Sequence, residues 1–147
     1  MTDPELLAKR LAQIETCVRE LRELARPDAI GTDVREARFV EHTLQIAIQA
    51  ALDTASHIVS DGRLGEARTN RELFDLLEAA GWIDTPLAAA MRNMAGFRNI
   101  LVHGYDTVDL GIVRDVVERH LDDLLDFVSA VRRRLRRGPQ AGDTAGR

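Results

Sequence analysis

Four residues close together near position 100 carry chemistry that an apolar helix does not need. They are Arg98, Asn99, His103 and Tyr105, and they lie in the stretch FRNILVHGYD at 97–106. A histidine can move a proton at neutral pH, while an arginine fork binds a phosphate and stabilises the charge that builds on its oxygens. This combination suits cleavage of RNA by its own 2′-hydroxyl group. We therefore predict Arg98 and His103 as catalytic residues, with Asn99 in support, and neither a metal ion nor a cofactor.

The spacing of these residues limits how they can act together. Asn99 and His103 are four apart, so on a helix they share one face, where the amide can orient the imidazole or share a ligand with it. Arg98 and His103 are five apart, which is about 140° around an ideal helix. They can contact the same ligand only if the helix ends at His103 or the long arginine side chain bends around the helix. Gly104 is a residue type that ends helices, and we expect a stop directly after His103.

Arg98 also interrupts an apolar seam. Steps of four and three along this segment give Leu87, Met91, Met94, Arg98, Leu101 and Tyr105. An unpaired guanidinium in such a seam is costly, so it must pair with an acid, reach solvent or face a cavity that takes an anion. A structural ion pair with Glu41 or Asp53 is the ordinary alternative to a phosphate site.

The composition is that of a globular protein with one compact domain. Of the 147 residues, 45% are hydrophobic and 30% are charged, which argues against a disordered or membrane-embedded chain. The net charge of -4 argues against broad coating of nucleic acid, yet residues 91–105 contain two arginines and no acid. No apolar run suits a membrane helix and no charged leader opens the chain, so we expect a cytoplasmic protein. The lone Cys17 is expected to be a small buried residue.

Apolar spacing predicts an all-α fold, a compact helical bundle of about five helices. The helices are predicted over 3–24, over roughly 33–60, from Thr69 to Gly81, over about 86–103, and from Asp109 to about 137. The long second helix is apolar on most of its circumference and is expected to be central. We assign residues 1–137 to a single helical domain and residues 138–147 to a flexible C-terminal tail.

Two polar features of these helices each have two interpretations. The second helix carries a line of polar residues, spaced mostly four apart: Glu41, Gln45, Gln49, Asp53 and Ser60. We interpret the line as a solvated stripe, with a functional groove as the alternative. We interpret the five arginines within 132–137 as charges that complement the helix dipole at a fraying end, with added phosphate affinity as the alternative.

The segment around Arg98 resembles the signature of a known family. Arg98, Asn99, three apolar residues, His103, Gly104 and Tyr105 are similar to the motif of the HepT-like toxins in the HEPN superfamily. That motif has an arginine, a polar residue, a later histidine and a tyrosine two residues after the histidine. The resemblance extends along most of the chain, through EHTLQIAIQAALDTASHIVSD, RELFDLLEAAGWI and MRNMAGFRNILVHGYDTVD. Residues 1–32 and those after about 137 carry none of it.

This resemblance implies a fold, an activity and several partners. The fold is a homodimeric bundle in which Arg98 and His103 of both subunits line one composite cleft. The activity is that of a type VII toxin, a metal-independent endoribonuclease. Its partner is an MNT-type nucleotidyltransferase antitoxin, which transfers AMP from ATP onto Tyr105, silences the toxin and can assemble with it. Because the protein is acidic, we expect the RNA substrate to be recognised at a single-stranded segment or end.

Two alternatives use the same residues differently. In the first, the protein is a HEPN module that binds a nucleotide or a partner without cutting RNA. In the second, four histidines hold a metal ion within the bundle: His42, His57, His103 and His120. These histidines lack the Glu-x-x-His pairs that are typical of carboxylate-bridged dimetal bundles, which disfavours the metal site.

Overall fold

Helices account for most of the chain that the structure describes. The computed structural model describes residues 3–103 and 108–138, and only the backbone of His103. Six α-helices lie in these ranges: α1 (Pro4–Leu24), α2 (Val34–Asp61), α3 (Asn70–Ala79), α4 (Thr85–His103), α5 (Leu110–Arg119) and α6 (Leu121–Arg137). A short 3-10 helix, Pro27–Ala29, connects α1 to α2. The predicted all-α bundle is confirmed, with six helices instead of about five.

Capping side chains fix where the helices begin. At the start of α4, Asp84 Oδ1 accepts a hydrogen bond from the backbone N–H of Leu87 at 3.0 Å. Four other helices have an equivalent cap: Asp3 for α1, Asp33 for α2, Thr69 for α3 and Asp109 for α5. Each cap of this kind contributes about 1 kcal/mol because it satisfies N–H groups that the helix itself cannot pair. The cap at Asp84 thereby sets the start of the helix that carries Arg98.

The helix α2 lies at the centre of the bundle, as predicted. It contacts each of the other five α-helices. Its buried apolar residues surround most of the helix: Ala37, Val40, Leu44, Ala47, Ile48, Ala50, Ala51, Leu52, Ala55, Ile58 and Val59. Between the neighbouring helices, Phe74 of α3 and Phe127 of α6 meet edge to face with their ring centres 5.8 Å apart. Since α4 packs on α2, the polar residues of α2 can reach the candidate site.

The prediction of one continuous helix from Asp109 to about 137 is wrong, because the segment is divided into two helices at His120. The backbone of His120 has φ -120 and ψ 4, outside the helical region. Its imidazole lies between two acids, 3.2 Å from Asp115 Oδ2 of α5 and 3.3 Å from Asp123 Oδ2 of α6. Asp122 and Asp123 are in the first turn of α6, where acids favour a helix start because they face its positive end.

The arginine-rich end of α6 is held in place by two of its side chains. Arg132 donates two hydrogen bonds to the Glu15 carboxylate of α1, at 2.7 and 2.8 Å, and this contact lowers the pKa of Glu15. Arg134 is buried, with its guanidinium carbon 4.8 Å from the ring centre of Trp82. The expectation that this run only complements the helix dipole and frays is therefore wrong for Arg132 and Arg134.

Three further expectations concern burial, the membrane and the tail. Cys17 is buried, as predicted, and burial raises the pKa of its thiol. None of the helices in the described ranges has the length and apolar character to cross a membrane. Residues 139–147 lie outside the described ranges, so the division into a domain at 1–137 and a tail at 138–147 stays a prediction.

Candidate active site

The candidate catalytic residues lie on the last two turns of α4. Arg98 is half-buried and Asn99 is exposed. Because α4 extends to His103, Asn99 and His103 lie one turn apart on one face of the helix. The side chain of His103 and all of Gly104 and Tyr105 lie outside the described residues. The predicted helix stop, the role of His103 and the modification of Tyr105 therefore stay predictions.

Arg98 interrupts a buried seam of α4, as the sequence predicts. Met91, Met94 and Leu101 of this seam are buried. The side chain of Arg98 points to α2 and not away from the bundle, because it makes a hydrogen bond with a residue of that helix. Its guanidinium is thus a cation placed at the edge of the core.

An amide, and not an acid, holds Arg98. Its Nη2 donates a hydrogen bond to Oε1 of Gln49 on α2, at 2.7 Å. The Nε2 of Gln49 donates in turn to Oδ1 of Asp53, one turn further along α2, at 2.8 Å. The other oxygen of Asp53 lies 4.0 Å from Nη1 of Arg10 on α1. A chain of four polar side chains therefore runs from α4 across α2 to α1.

The predicted alternative of a direct ion pair between Arg98 and Glu41 or Asp53 is wrong. Glu41 lies 3.7 Å from Arg38, and Asp53 is connected to Arg98 only through Gln49. No carboxylate in the ranges 3–103 and 108–138 lies within ion-pair distance of Arg98. A neutral amide can orient a guanidinium without cancelling its charge. Among the described residues, the charge of Arg98 is therefore left available to an anion.

One nitrogen of Arg98 has no partner among the residues that the structure describes. Its Nε is buried, and no acceptor among the described residues binds it. Buried polar groups in proteins are nearly always hydrogen-bonded, and an exception is a common sign of a functional site. The unbonded Nε and the lack of a paired carboxylate agree: the described residues leave part of the hydrogen-bonding capacity and the charge of Arg98 unused.

The polar line of α2 faces a groove between α1 and α2. The groove consists of two adjoining clefts, with volumes of about 330 Å³ and 250 Å³, which share Arg10 and Asp53 in their linings. Gln45 and Gln49 line the smaller cleft, and Ser60 lines the larger one. The interpretation as a solvated stripe is therefore only partly right. Gln49 belongs both to this groove and to the hydrogen bond with Arg98.

The second arginine of the acid-free stretch, Arg92, has a different role from Arg98. Its Nη1 lies 2.9 Å from Oδ1 of Asp75 and 3.5 Å from Oε1 of Glu78, both on α3. Two carboxylates thus compensate the charge of Arg92 and connect α4 to α3. Of the two arginines in this stretch, only Arg98 keeps an uncompensated charge among the residues described.

The alternative metal site is not assembled from the histidines that the structure describes. His42 and His57 are both on α2, fifteen residues or about 22 Å apart along the helix. His120 lies elsewhere, between α5 and α6. Across the described side chains, no three His, Cys, Asp or Glu residues are grouped so that they could hold a metal ion.

Sequence reasoning did not identify Gln49 as the residue that binds Arg98. The available signal was its place in the polar line of α2, with Asp53 four residues later. Glutamine and aspartate at this spacing can form a hydrogen bond along a helix. This spacing does not show which residue of another helix binds the side-chain oxygen of Gln49, since that depends on how α4 packs on α2.

Comparisons with known proteins agree with this fold and this motif. Residues 14–131 match the family described as Ribonuclease HepT-like. The chain is 30% identical to the mRNA nuclease HepT of Shewanella oneidensis over 129 residues, which are 87% of this chain and 97% of that protein. It is 33% identical to the tRNA nuclease HepT of Aphanizomenon flos-aquae over 112 residues, which are 73% of this chain and 74% of that protein.

A solved structure shares the architecture as well. It is the tri-AMPylated HEPN toxin of Shewanella oneidensis in complex with an MNT antitoxin, and it has a TM-score of 0.83 and 28% sequence identity to this chain. The similarity covers 90% of this chain and 100% of the solved one. The family match begins at residue 14, earlier than the sequence resemblance reached, and includes about half of α1, all of α2 to α5, and the Arg98 segment. The chain therefore belongs to the HepT-like ribonuclease family.

Proposed function

We propose that this protein is the toxin of a toxin–antitoxin pair and cuts RNA at a site built from Arg98, Asn99 and His103. The observation that carries the proposal is the state of Arg98, a half-buried cation that Gln49 orients and that no described carboxylate neutralises. Such a charge costs stability unless an anion binds it. The family and the two relatives named as mRNA and tRNA nucleases support a phosphodiester of RNA as this anion.

The proposed reaction is a transesterification within the RNA strand. The 2′-oxygen attacks the adjacent phosphorus and the bond from phosphorus to the 5′-oxygen breaks, which leaves a 2′,3′-cyclic phosphate and a 5′-hydroxyl. One proton leaves the 2′-oxygen and one reaches the 5′-oxygen, and His103 can carry either of them. Arg98 binds the non-bridging oxygens, whose charge rises in the transition state. Asn99 orients the imidazole, and a metal ion has no required part in this scheme.

A second copy of the chain completes the proposed site. Positions 98 and 103 are about 140° apart around α4, so in one copy they lie on different sides of the helix. Two copies that face each other through the ends of α4 bring Arg98 of one copy towards His103 of the other. The exposed face of α4 supports this arrangement, because Ile100 next to Asn99 is a large apolar side chain that is 42% exposed.

Mixed dimers test this arrangement. When each site takes Arg98 from one copy and His103 from the other, a dimer of an Arg98→Ala chain with a His103→Ala chain still has one intact site. Co-expressed chains with different tags, purified on both tags, should therefore recover about half of the parental activity, whereas each variant alone is inactive. No recovery in the mixed dimer would show that both residues act within one copy.

Regulation is proposed to occur at Tyr105, the single tyrosine of the chain. An MNT-type nucleotidyltransferase would transfer AMP from ATP to its phenolic oxygen, with release of pyrophosphate. The tri-AMPylated state of the similar Shewanella toxin supports this proposal. The added phosphate charge and bulk, two residues after His103, would oppose the approach of RNA.

Mass spectrometry tests the modification. After incubation with an active MNT-type partner and ATP, the peptide that contains Tyr105 should gain the mass of AMP, and Tyr105→Phe protein should gain none. An unmodified Tyr105 peptide, or equal modification of the Tyr105→Phe protein, would show that the acceptor is wrongly assigned.

The proposed substrate is a single-stranded segment or end of RNA in the cytoplasm. The net charge is -4, and ion pairs already compensate many arginines of the described surface, among them Arg22, Arg92, Arg114 and Arg132. The net negative charge disfavours holding a long duplex by its phosphates alone. In a single strand the exposed bases supply further contacts.

Growth of the expressing cells tests the function as a whole. The parental protein should arrest growth, and Arg98→Ala and His103→Ala proteins expressed to the same level should not. Arrest by both variants would contradict the assignment of the site. Purified parental protein that binds RNA or ATP but leaves RNA intact would favour the binding-module alternative instead.

A further inference from the structure

The guanidinium of Arg71, on α3, lies directly against α4 at Gly96. A Cβ atom built on Gly96 would be 2.3 Å from Nη2 of Arg71, 3.2 Å from its Cζ and 3.3 Å from its Nε. All three distances are shorter than ordinary van der Waals contact, so the guanidinium occupies the space that an alanine methyl group would need. Glycine inside a helix weakens that helix relative to alanine. Glycine at position 96 therefore lets the Arg71 guanidinium approach α4 closely, at some cost in helix stability.

No carboxylate that the structure describes compensates the charge of Arg71. The residue is exposed, and no carboxylate of the described chain lies within ion-pair distance of it. Asp75, one turn further along α3, binds Arg92 instead, and so does Glu78. The acids of α3 thus compensate Arg92 and leave Arg71 with its full charge.

Gly96 places this charge on the face of α4 that carries Asn99 and His103, away from Arg98, which is about 160° from Gly96 around the helix. Gly96 and His103 are seven residues apart, which puts them within about 20° of each other around the helix and about 10 Å apart along it. Asn99 lies between them. The Arg71 guanidinium therefore lies on the side of α4 that carries position 103, and the separation of about 10 Å along the helix is too long for one phosphate to span.

We propose that Arg71 binds a second phosphate of the RNA strand, next to the one that is cleaved. This inference rests on the proposed ribonuclease function and adds a substrate-binding residue to it. The planar fork of an arginine suits a phosphate group, since it can donate two parallel hydrogen bonds to its oxygens. In this role Arg71 contributes to RNA affinity and to the position of the strand, and it takes no part in bond cleavage.

The test is a binding titration with RNA that cannot be cleaved. The probe is a fluorescein-labelled, unstructured oligoribonucleotide in which every ribose carries a 2′-O-methyl group. In about 100 mM salt, Arg71→Ala is expected to weaken binding about fivefold and to reduce the slope of log Kd against log salt by about 0.7, the contribution of one phosphate contact on a single strand.

Two further variants separate this role from a structural one. Gly96→Ala should weaken binding less than Arg71→Ala does, because its methyl group shifts the flexible guanidinium away from α4 without removing the charge, while its Tm stays equal to or above that of the parent. Arg19→Ala removes the same charge from an exposed position on α1 and should change neither the affinity nor the salt slope.

The outcomes distinguish this inference from the function on which it rests. Parental affinity and salt slope in Arg71→Ala would overturn the role of Arg71, while a parent that still cleaves unmodified RNA keeps its ribonuclease function. A parent that neither binds the oligomer nor cleaves RNA would overturn the proposed function together with this inference.

Discussion

Arg98 of α4 donates a hydrogen bond to the side-chain oxygen of Gln49 on α2, at 2.7 Å. The same amide donates to Asp53 at 2.8 Å, so both of its ends are engaged and its orientation is fixed. The arginine is thus positioned by a group that carries no charge. We regard Gln49 as a positioning residue for Arg98. Substitution of Gln49 changes the orientation of the Arg98 guanidinium but keeps the guanidinium in the protein.

Gln49→Ala should reduce RNA cleavage without removing the catalytic groups. We expect kcat/KM to fall about 10- to 100-fold, because a displaced guanidinium stabilises the transition state less well. Gln45→Ala, one turn earlier in the same polar line, is the matched control and should keep parental activity. In an Arg98→Ala background, Gln49→Ala should cause no further loss of activity. A further loss of the same size there would show that Gln49 does not act through Arg98.

Gln49→Glu should be more harmful to cleavage than Gln49→Ala. The new carboxylate would pair directly with Arg98 and compensate the charge that the RNA phosphate needs. Repulsion between this carboxylate and Asp53 is a second possible cause of the loss, and the double variant Gln49→Glu/Asp53→Asn removes it. The double variant should remain as inactive as Gln49→Glu in an assay of initial cleavage rates. Full activity in either protein would contradict the need for an uncompensated Arg98.

The ion pair between Glu15 and Arg132 should make a small part of the stability depend on pH. The hydrogen bond from Arg132 lowers the pKa of Glu15 from its ordinary value of 4.5. A lowered pKa in the folded state stabilises the protein above the ordinary value, and this contribution is lost as the pH falls through the folded-state pKa. Both side chains are partly exposed, at 37% and 42%, so the contribution at pH 7 is only about 0.5 kcal/mol.

Thermal unfolding at several pH values measures this contribution. Glu15→Gln should lower the Tm at pH 7 by about 1–2 °C, and the difference from the parent should disappear as the pH falls below 4.5. Glu20→Gln, an exposed residue of the same helix, should leave the Tm unchanged. A difference between Glu15→Gln and parent that is equal at pH 7 and at low pH would contradict the role of the ion pair.

Arg134 should be needed for the stability of the bundle, and the single tryptophan reports on it. Its buried guanidinium lies over the Trp82 ring at 4.8 Å. Arg134→Ala should lower the free energy of unfolding by about 1–2 kcal/mol and shift Trp82 emission to longer wavelengths as water reaches the indole. The exposed neighbour Arg133 is the control, since Arg133→Ala should change neither property. Parental stability and emission in Arg134→Ala would contradict this packing.

Much of the fold could be predicted because it depends on local patterns. The caps at Asp3, Asp33 and Asp84 act on N–H groups two or three residues away, so the sequence alone identifies them. The break at His120 was missed because apolar spacing continues through it. Only the tertiary position of the imidazole, between acids of α5 and α6, explains why the helix ends there.

The candidate site could be predicted in its residue types but not in its contacts. The interruption of the α4 seam by Arg98 follows from helical periodicity, and the structure confirms it. Its partner Gln49 is 49 positions away in the sequence, and the choice among Glu41, Gln49 and Asp53 depends on the packing of α4 on α2. Periodicity contains no information on that packing. The close approach of Arg71 to Gly96 depends in the same way on how α3 crosses α4.

The most direct test of the account is the cleavage of an unstructured RNA oligomer by the purified protein in the presence of a chelator, with identification of the new ends. The account predicts 2′,3′-cyclic phosphate and 5′-hydroxyl ends from the parent, and a rate that falls at least about 100-fold in Arg98→Ala and in His103→Ala. An oligomer without 2′-hydroxyl groups should stay intact. Cleavage at the parental rate by either variant, or products with 3′-hydroxyl and 5′-phosphate ends, would contradict it.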